Sequence, residues 1–319
     1  MDALTPPLDP ALWRPALEQA QRYANAARAP STRRAYISDW RQFSCWCTAH
    51  QTSPLPADPR LVALYLSEEA ARGLAPATLG RRLAAIGLAH RRAACMPPHL
   101  AEGGALLLEV LTGIRRSWRQ APQRKAAADA DVLRDLLRAL PEQGLKNLRN
   151  RAVLAFGMAG AFRRSELAAL RIEQLTREPR GMRVRFGVTK TDQEGKGTVI
   201  AIPDGRRIRP IALLETWLQA AKISKGFVFR RVVAGHATDA PMSDRAVARI
   251  VQRAAEAAGY DPARFGGHSL RAGFITASAR AGASIFQMKD VSRHKSTDVL
   301  AAYVREEGLF EQHAGEAFL

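Results

Sequence analysis

Cysteine is nearly absent from this chain. Cys45, Cys47 and Cys95 are all it has, too few and too unevenly spaced for a disulfide framework or a zinc site. A reducing compartment fits. Long apolar runs are missing as well: no uncharged stretch approaches the roughly 18 residues a membrane span needs. The opening "MDALTPPLDP" puts acid and proline where a secretory signal has basic and apolar residues. There is no GxxxxGK loop and no repeat at a solenoid or propeller period. Negative charge is in short supply, with 30 Asp and Glu against 48 Lys and Arg, a formal net charge of +18. Lysine is scarce too, at eight of those 48, so the excess is arginine.

What is present then narrows the choice. Arginine forks match phosphate oxygens two donors at a time, and a chain this basic favours a polyanion, nucleic acid first. A GC-rich genome would explain arginine over lysine, but explains the net charge less well. The 319 residues, 47% of them apolar, suffice for two domains with sizeable cores.

The first third reads as helices: 13–29, 30–50, 58–73, 75–94 and 104–118. Pro30 separates the first two, and Ser31 is placed to cap the second. Tyr36, Trp40, Phe43 and Cys47 recur at helical spacing and make one apolar face, more simply a core stripe than a base-stacking platform. Leu79, Leu83, Ile86 and His90 do the same further on. Arg33, Arg34, Arg81 and Arg82 decorate this bundle as candidate phosphate contacts. They would clamp duplex DNA without reading bases. "RQAPQRKAAADAD" breaks the pattern with polar residues, proline and three positive charges. The expected division is a helical domain over 12–122, a linker over 123–128 and a second domain over 129–319.

The second domain opens with a helix capped by Asp129 or Asp131 and ended by Pro141. An apolar helix follows over 147–162, and "RRSELAALRIEQL" starts another. From 181 to 211 the period changes. Val184, Phe186 and Val188 alternate, Val199 and Ile202 follow a glycine-rich turn, and Ile208 and Ile211 close the block. About three antiparallel strands are expected. Helices return from Ile211, with "KGFVFRR" as a short extended interruption.

The candidate chemistry lies in this half. Arg163 stands in "GAFRRSEL", Lys190 in "VTKTDQEGKG", His268 and Arg271 in "GGHSLR", His294 in "VSRHKS" and Tyr303 in "AAYVRE". Attack on a phosphodiester spreads negative charge over the non-bridging oxygens, and two arginines can each donate twice to them. A tyrosine hydroxyl needs help losing its proton at neutral pH. His268 suits a general base and His294 a further donor. Lys190, or Lys196 on the same turn, can protonate the leaving 5′ oxygen. Nothing in this set requires a metal or another cofactor. Gly266 and Gly267 suit a tight turn before the His268 helix, and Arg293 and Lys295 are further candidate phosphate contacts.

"FRRSEL", "TKT", "GGHSLR", "RH" and "AAYV", in that order, resemble the tyrosine recombinase, or phage integrase, family and its simple two-domain members. "PSTRRAYISDWRQFSCWC" resembles the start of its core-binding domain, so the likeness runs from about 12 to 308. It implies a mainly α fold: an N-terminal helical, SAM-like core-binding bundle, then a mixed α/β catalytic domain with a small antiparallel sheet. By the same resemblance Arg163, Lys190, His268, Arg271 and His294 are catalytic, Tyr303 is the nucleophile, and Glu166 supports Arg163. The implied activity is site-specific DNA recombination through a 3′-phosphotyrosyl link and a Holliday junction, without metal or ATP. Its partners would be duplex DNA with inverted-repeat sites, three further copies in a tetramer, and in some systems a paralogous recombinase. The expected place is the cytoplasm, on the nucleoid. The family passes a C-terminal helix to a neighbour, and Leu309, Phe310, Phe318 and Leu319 are candidate docking residues. Residues before 12 leave little room for an arm-binding domain. Two other readings use the same residues: a type IB topoisomerase that relaxes DNA, and a non-catalytic DNA-binding protein of the same fold.

Overall fold

The computed structural model describes residues 10–119, 125–187, 197–294 and 296–307. It divides into two compact units, Met1–Pro122 and Gln123–Leu319. The first is a helical bundle and the second mixes helices with two small antiparallel sheets. Among the described residues no helix is long and apolar enough to cross a membrane.

The first unit holds α1 (Pro10–Ala26), α2 (Pro30–Ala49), α3 (Pro59–Ala71), α4 (Pro76–Arg92) and α5 (Gly104–Ser117). Pro30, Pro59 and Pro76 each occupy the first turn of a helix, where the missing amide costs nothing and the fixed φ already suits the helix. Ser31 therefore lies inside α2 rather than capping it; Ala29 is the cap residue and no side chain caps there. The expected stripes become core except at Tyr36, which is half-buried and lines a surface groove. Phe43, Cys47, Leu79, Ile86 and His90 are fully buried, and Trp46, Tyr65, Leu66 and Leu107 join them. His90 is a structural residue, accepting the Ala57 amide at Nε2, 2.9 Å away, with Nδ1 at the Ile86 carbonyl.

The second unit runs α6 (Ala130–Ala139), α7 (Leu145–Ala159), α8 (Arg164–Ala169), β1 (Leu175–Glu178), β2 (Gly181–Phe186), β3 (Thr198–Pro203), α9 (Pro210–Ala220), β4 (Arg230–Val233), β5 (His236–Pro241), α10 (Asp244–Ala257), α11 (Ser269–Arg280), α12 (Ile285–Ser292) and α13 (Thr297–Glu307). Asp129 caps α6, accepting from the amides of Asp131 and Val132. The apolar α7 is the central helix of the core, with Ala152 through Phe156 fully buried.

The three-stranded sheet is displaced from its expected place. Its order is β1–β2–β3, with Leu175 opposite Val184 and Val184 opposite Ile200. The inward residues of β3 are Ile200 and Ile202, while Val199 is 49% exposed. Val199 and Ile202 are an odd number of residues apart and cannot share a sheet face. Ile211 belongs to α9, not to a strand. β1 escaped notice because "LTRE" has no alternating apolar pair. Val188 lies outside the described residues. The extended "KGFVFRR" leads into β4, which pairs with β5 as a separate hairpin.

Residues 125–128, expected within a linker, are bonded into the second unit. The Ala126 amide donates to the Arg264 carbonyl at 2.7 Å and that of Ala128 to Ser269 at 2.9 Å. Ala128 is fully buried against α11. A Cβ on Gly273 would stand 1.8 Å from the Ala128 carbonyl oxygen, so only glycine lets this segment lie on the helix.

Candidate active site

Four pieces of backbone in the second unit carry the site: the turn from α7 into α8, the start of α11, the end of α12, and α13. The first turn ends in "GAFRRSE". Arg163 is the cap residue of α8 and Glu166 stands on its first turn. The Glu166 carboxylate accepts the Arg163 backbone amide at 2.9 Å and also its Nη1. Arg163 Nη2 donates to the Arg293 carbonyl at 3.0 Å. The side chain is held from behind and still 44% exposed, free to offer donors outward.

His268 and Arg271 flank the start of α11. Gly266 and Gly267 precede them, neither at positive φ. A Cβ on Gly267 would stand 3.1 Å from the Arg164 side chain, so glycine here permits close approach and is not required by a left-handed turn. The Ser269 hydroxyl accepts the Gly266 amide at 3.0 Å and fixes the turn. Arg271, one turn in, is 1% exposed. Its Nη1 donates to the Ala161 carbonyl at 2.7 Å, and its Nη2 lies 3.2 Å from His294 Nδ1. No carboxylate pairs with Arg271 among the described residues.

That contact decides the state of His294. A guanidinium only donates, so Nδ1 must accept. The buried Ser292 hydroxyl reaches the same nitrogen at 2.8 Å. The ring is therefore neutral, with its proton on Nε2, available to an acceptor. Burial first, then the charges of Arg271 and Arg163, pull its pKa from 6.5 down to about 4. His268 is lowered too, by the surrounding protein and then by Arg271 and Arg163, although its ring reaches the surface. Both imidazoles are bases at neutral pH. Burial, with Arg163 and Arg293 nearby, lowers Arg271 to about 9, which still leaves it charged at pH 7. Burial alone would raise Glu166, but Arg293 and the bonds from Arg163 outweigh it and hold the carboxyl below its ordinary value.

Tyr303 sits on α13, half-buried, packed against Ile275, Met288 and Leu300. It is close enough to Arg271 to interact with it electrostatically. The structure thus gathers Arg163, Glu166, His268, Arg271, His294 and Tyr303. Lys190, Lys196, Lys295, Leu309, Phe310, Phe318 and Leu319 lie outside the described residues. Among the described residues no cluster of His, Cys, Asp or Glu is disposed to hold a metal ion.

The candidate phosphate contacts divide. In the first unit Arg33 and Arg34 line a groove with Arg28, Arg92, Ile37 and Trp40. Arg81 is half-exposed but forks onto Asp39, at 2.7 and 3.1 Å. Arg82 departs from expectation. It is 6% exposed and its two terminal nitrogens are bonded to Glu69, Tyr65 and Gln42, while its Nε is buried without a hydrogen-bond partner; a buried guanidinium is tolerated where most of its donors are met internally. Arg293 departs likewise: its side chain is 9% exposed and turned onto Glu166. Two features escaped the sequence reading, the Ser292 hydroxyl behind His294 and the Ala161 carbonyl beneath Arg271. A serine two residues before a histidine carries no signal of its own.

Comparison with known proteins gives a consistent picture. The sequence profile of the phage integrase family matches residues 127–308. An integrase/recombinase xerD homolog from Selenomonas ruminantium is 33% identical over 299 residues, covering 93% of this chain and 87% of that protein. Recombinase cre of Escherichia phage P1 is 27% identical over 288 residues, covering 84% and 82%. Among solved structures, the XerH site-specific recombinase in its post-cleavage complex with a palindromic difH substrate superposes with a TM-score of 0.58 at 15% identity. That match covers 82% of this chain and 72% of that one, and is a likeness of fold.

Proposed function

This chain belongs to the phage integrase family of tyrosine recombinases, and from that premise we propose that it cuts and rejoins duplex DNA at specific sites through Tyr303. The Tyr303 oxygen attacks the scissile phosphorus. The new O–P bond forms as the bond to the 5′ oxygen breaks. His268 takes the phenolic proton and Lys190 gives one to the departing 5′ oxygen, leaving a 3′-phosphotyrosyl link and a 5′ hydroxyl. The 5′ hydroxyl of a partner duplex then attacks the link and frees the tyrosine. Each step exchanges one phosphate ester for another, so no ATP is consumed. Two rounds on paired sites pass through a Holliday junction.

Arg163, Arg271 and the Nε2 proton of His294 receive the charge that develops on the non-bridging oxygens, and no step runs through a metal. Glu166 orients Arg163. The working unit is a tetramer on two inverted-repeat sites, acting on the nucleoid in the cytoplasm, alone or with a paralogous recombinase. The helical unit provides the phosphate clamp, with Arg33 and Arg34 as its contacts.

What supports this reading most is an imbalance of charge. Arg163 and Arg293 share one carboxylate, Glu166, and Arg271 pairs with none among the described residues. With Arg271 and Arg293 buried, surplus positive charge there is costly unless an anion completes it, and a phosphodiester does so. A suicide duplex, nicked beside the cleavage position so that the released fragment diffuses away, tests the proposal. Covalent capture on genomic DNA next to the gene identifies the site to build into it. Wild type forms a covalent adduct and Tyr303→Phe forms none; an adduct with Tyr303→Phe moves the nucleophile elsewhere. Exchange between two short duplexes marks a recombinase, whereas relaxation without exchange marks a topoisomerase.

A further inference from the structure

Arg293 occupies a position that its side chain makes unfavourable. It follows the last residue of α12 with φ 56 and ψ 41, a left-handed conformation in which glycine sits without strain and a long side chain does not. The side chain has uses that answer this. Its guanidinium lies over the face of Phe186, 4.1 Å from the ring centre, with Phe162 at 5.6 Å. Nη2 bonds to Glu166 Oε2 at 2.8 Å, and Nη1 donates to the carbonyls of Gly160 and Val291. Its own carbonyl accepts from Arg163 Nη2. The Nε is buried without a hydrogen-bond partner, a cost that the other contacts must outweigh.

These contacts join every described piece of the site except α11 and α13. Phe162 and Glu166 bracket Arg163, Phe186 ends β2, and His294 is the next residue in the chain. Arg163 and Arg293 hold the Glu166 carboxylate between them. Glu166 cannot turn toward solvent without abandoning both, and Arg163 has its fork fixed by Glu166 on one side and the Arg293 carbonyl on the other. Resting on the recombinase reading for its catalytic readout, we infer that Arg293 is a positioning residue: it clamps Glu166, and through it Arg163, rather than touching DNA. It acts from the protein side of the site, where no phosphate reaches it.

Three measurements on the full chain test this, using Arg293→Gly and Arg293→Lys. Glycine suits the backbone and removes the clamp, while lysine keeps the charge without the planar fork. The first is the salt dependence of binding to a mixed-sequence duplex of about 30 base pairs. A lost phosphate contact flattens the log–log slope by about 0.9; here Arg293→Gly, which removes the charge, keeps the wild-type slope, and a flattened one overturns the inference. The second is single-turnover cleavage of the suicide duplex at saturating protein. Arg293→Gly slows it about 10–100-fold, as expected for a residue supporting a working group, and Arg293→Lys recovers part of the loss. The third is a double-mutant cycle with Glu166→Gln. The double variant is no slower than the slower single one, because both act through the same pair; multiplicative losses overturn the inference. If Arg293→Gly does not fold, Arg293→Gln, which removes the charge with a smaller change of shape, carries the slope and the cycle. If wild type itself forms no adduct, the recombinase reading fails, and the salt slope still decides whether Arg293 meets DNA.

Discussion

The molecule contains two arginine clusters, one in each unit, each built around buried guanidinium groups, and they follow opposite rules. In the helical unit Arg72, Arg81 and Arg82 meet Asp39, Glu68 and Glu69, three charges against three. In the second unit, among the described residues, Arg163 and Arg293 meet Glu166 and Arg271 meets no carboxylate. The first cluster is complete as it stands, and its arginines bind the bundle together with Tyr65 and Gln42 as further acceptors. The second is short of negative charge, with its most buried member turned to a carbonyl and an imidazole. A guanidinium that is internally neutralised is structural, whereas one left in surplus beside neutral bases is waiting for an anion. Sequence order marks Arg163 and Arg271 as members of a phosphate site, but it does not show that Arg82 and Arg293 turn inward onto carboxylates.

The sharpest way to break the comparison is to remove one charge from each cluster. Arg82→Met leaves Glu69 with Arg72 alone and takes a donor from Tyr65 and Gln42, and is expected to cost about 1–3 kcal/mol, the usual effect of breaking buried hydrogen bonds. Arg271→Met relieves a surplus, so the free protein keeps or gains stability. Thermal unfolding of both variants side by side measures this, and equal losses would erase the distinction. In cleavage the order reverses. Arg271→Ala and Arg163→Ala each slow adduct formation about 10²–10³-fold, the effect of losing a preorganised donor to a developing oxyanion. Variants of Arg81 that stay folded leave the cleavage step near wild type.

A smaller effect follows from the imidazoles. His294 in the free protein titrates at about 4 instead of 6.5. Between these values the unfolded chain takes up a proton that the folded chain refuses, so stability is undiminished above pH 6.5 and falls as the pH drops toward 4. Ring-proton titration by NMR measures the midpoint directly. Added duplex DNA raises it, because a phosphate beside the ring favours the charged form; a midpoint at 6.5 without DNA would contradict the bonds drawn at Nδ1. The smallest effect belongs to the groove in the helical unit. Arg33→Ala and Arg34→Ala each flatten the salt dependence of DNA binding by about 0.9, as Arg81→Ala does not while its fork stays on Asp39.

The helices were legible in the sequence because their signals are local. Proline on first turns and the spacings of Phe43 with Cys47 and of Leu79, Leu83 and Ile86 write the bundle directly. The order of Arg163, His268, Arg271, His294 and Tyr303 was legible as a pattern of phosphate chemistry, and the fold brings these residues near one another. What was hidden depends on direction and long-range contact. Whether Arg82 faces DNA or Glu69 is decided by a helix thirteen residues away in sequence. Whether Arg293 faces DNA or Glu166 depends on a left-handed residue at the end of α12. β1 was hidden because its two middle residues are exposed, its two outer ones half-buried and none is buried. The tautomer of His294 required the positions of Arg271 and Ser292, which no spacing supplies.

The most direct test of the central claim is a structure of Tyr303→Phe bound to a duplex carrying the mapped cleavage site. The account predicts that Arg163, Arg271 and His294 Nε2 each lie about 2.7–3.2 Å from oxygens of the scissile phosphate, while Arg293 remains on Glu166. A phosphate held away from Arg271, with the surplus charge met by some other group, would contradict it.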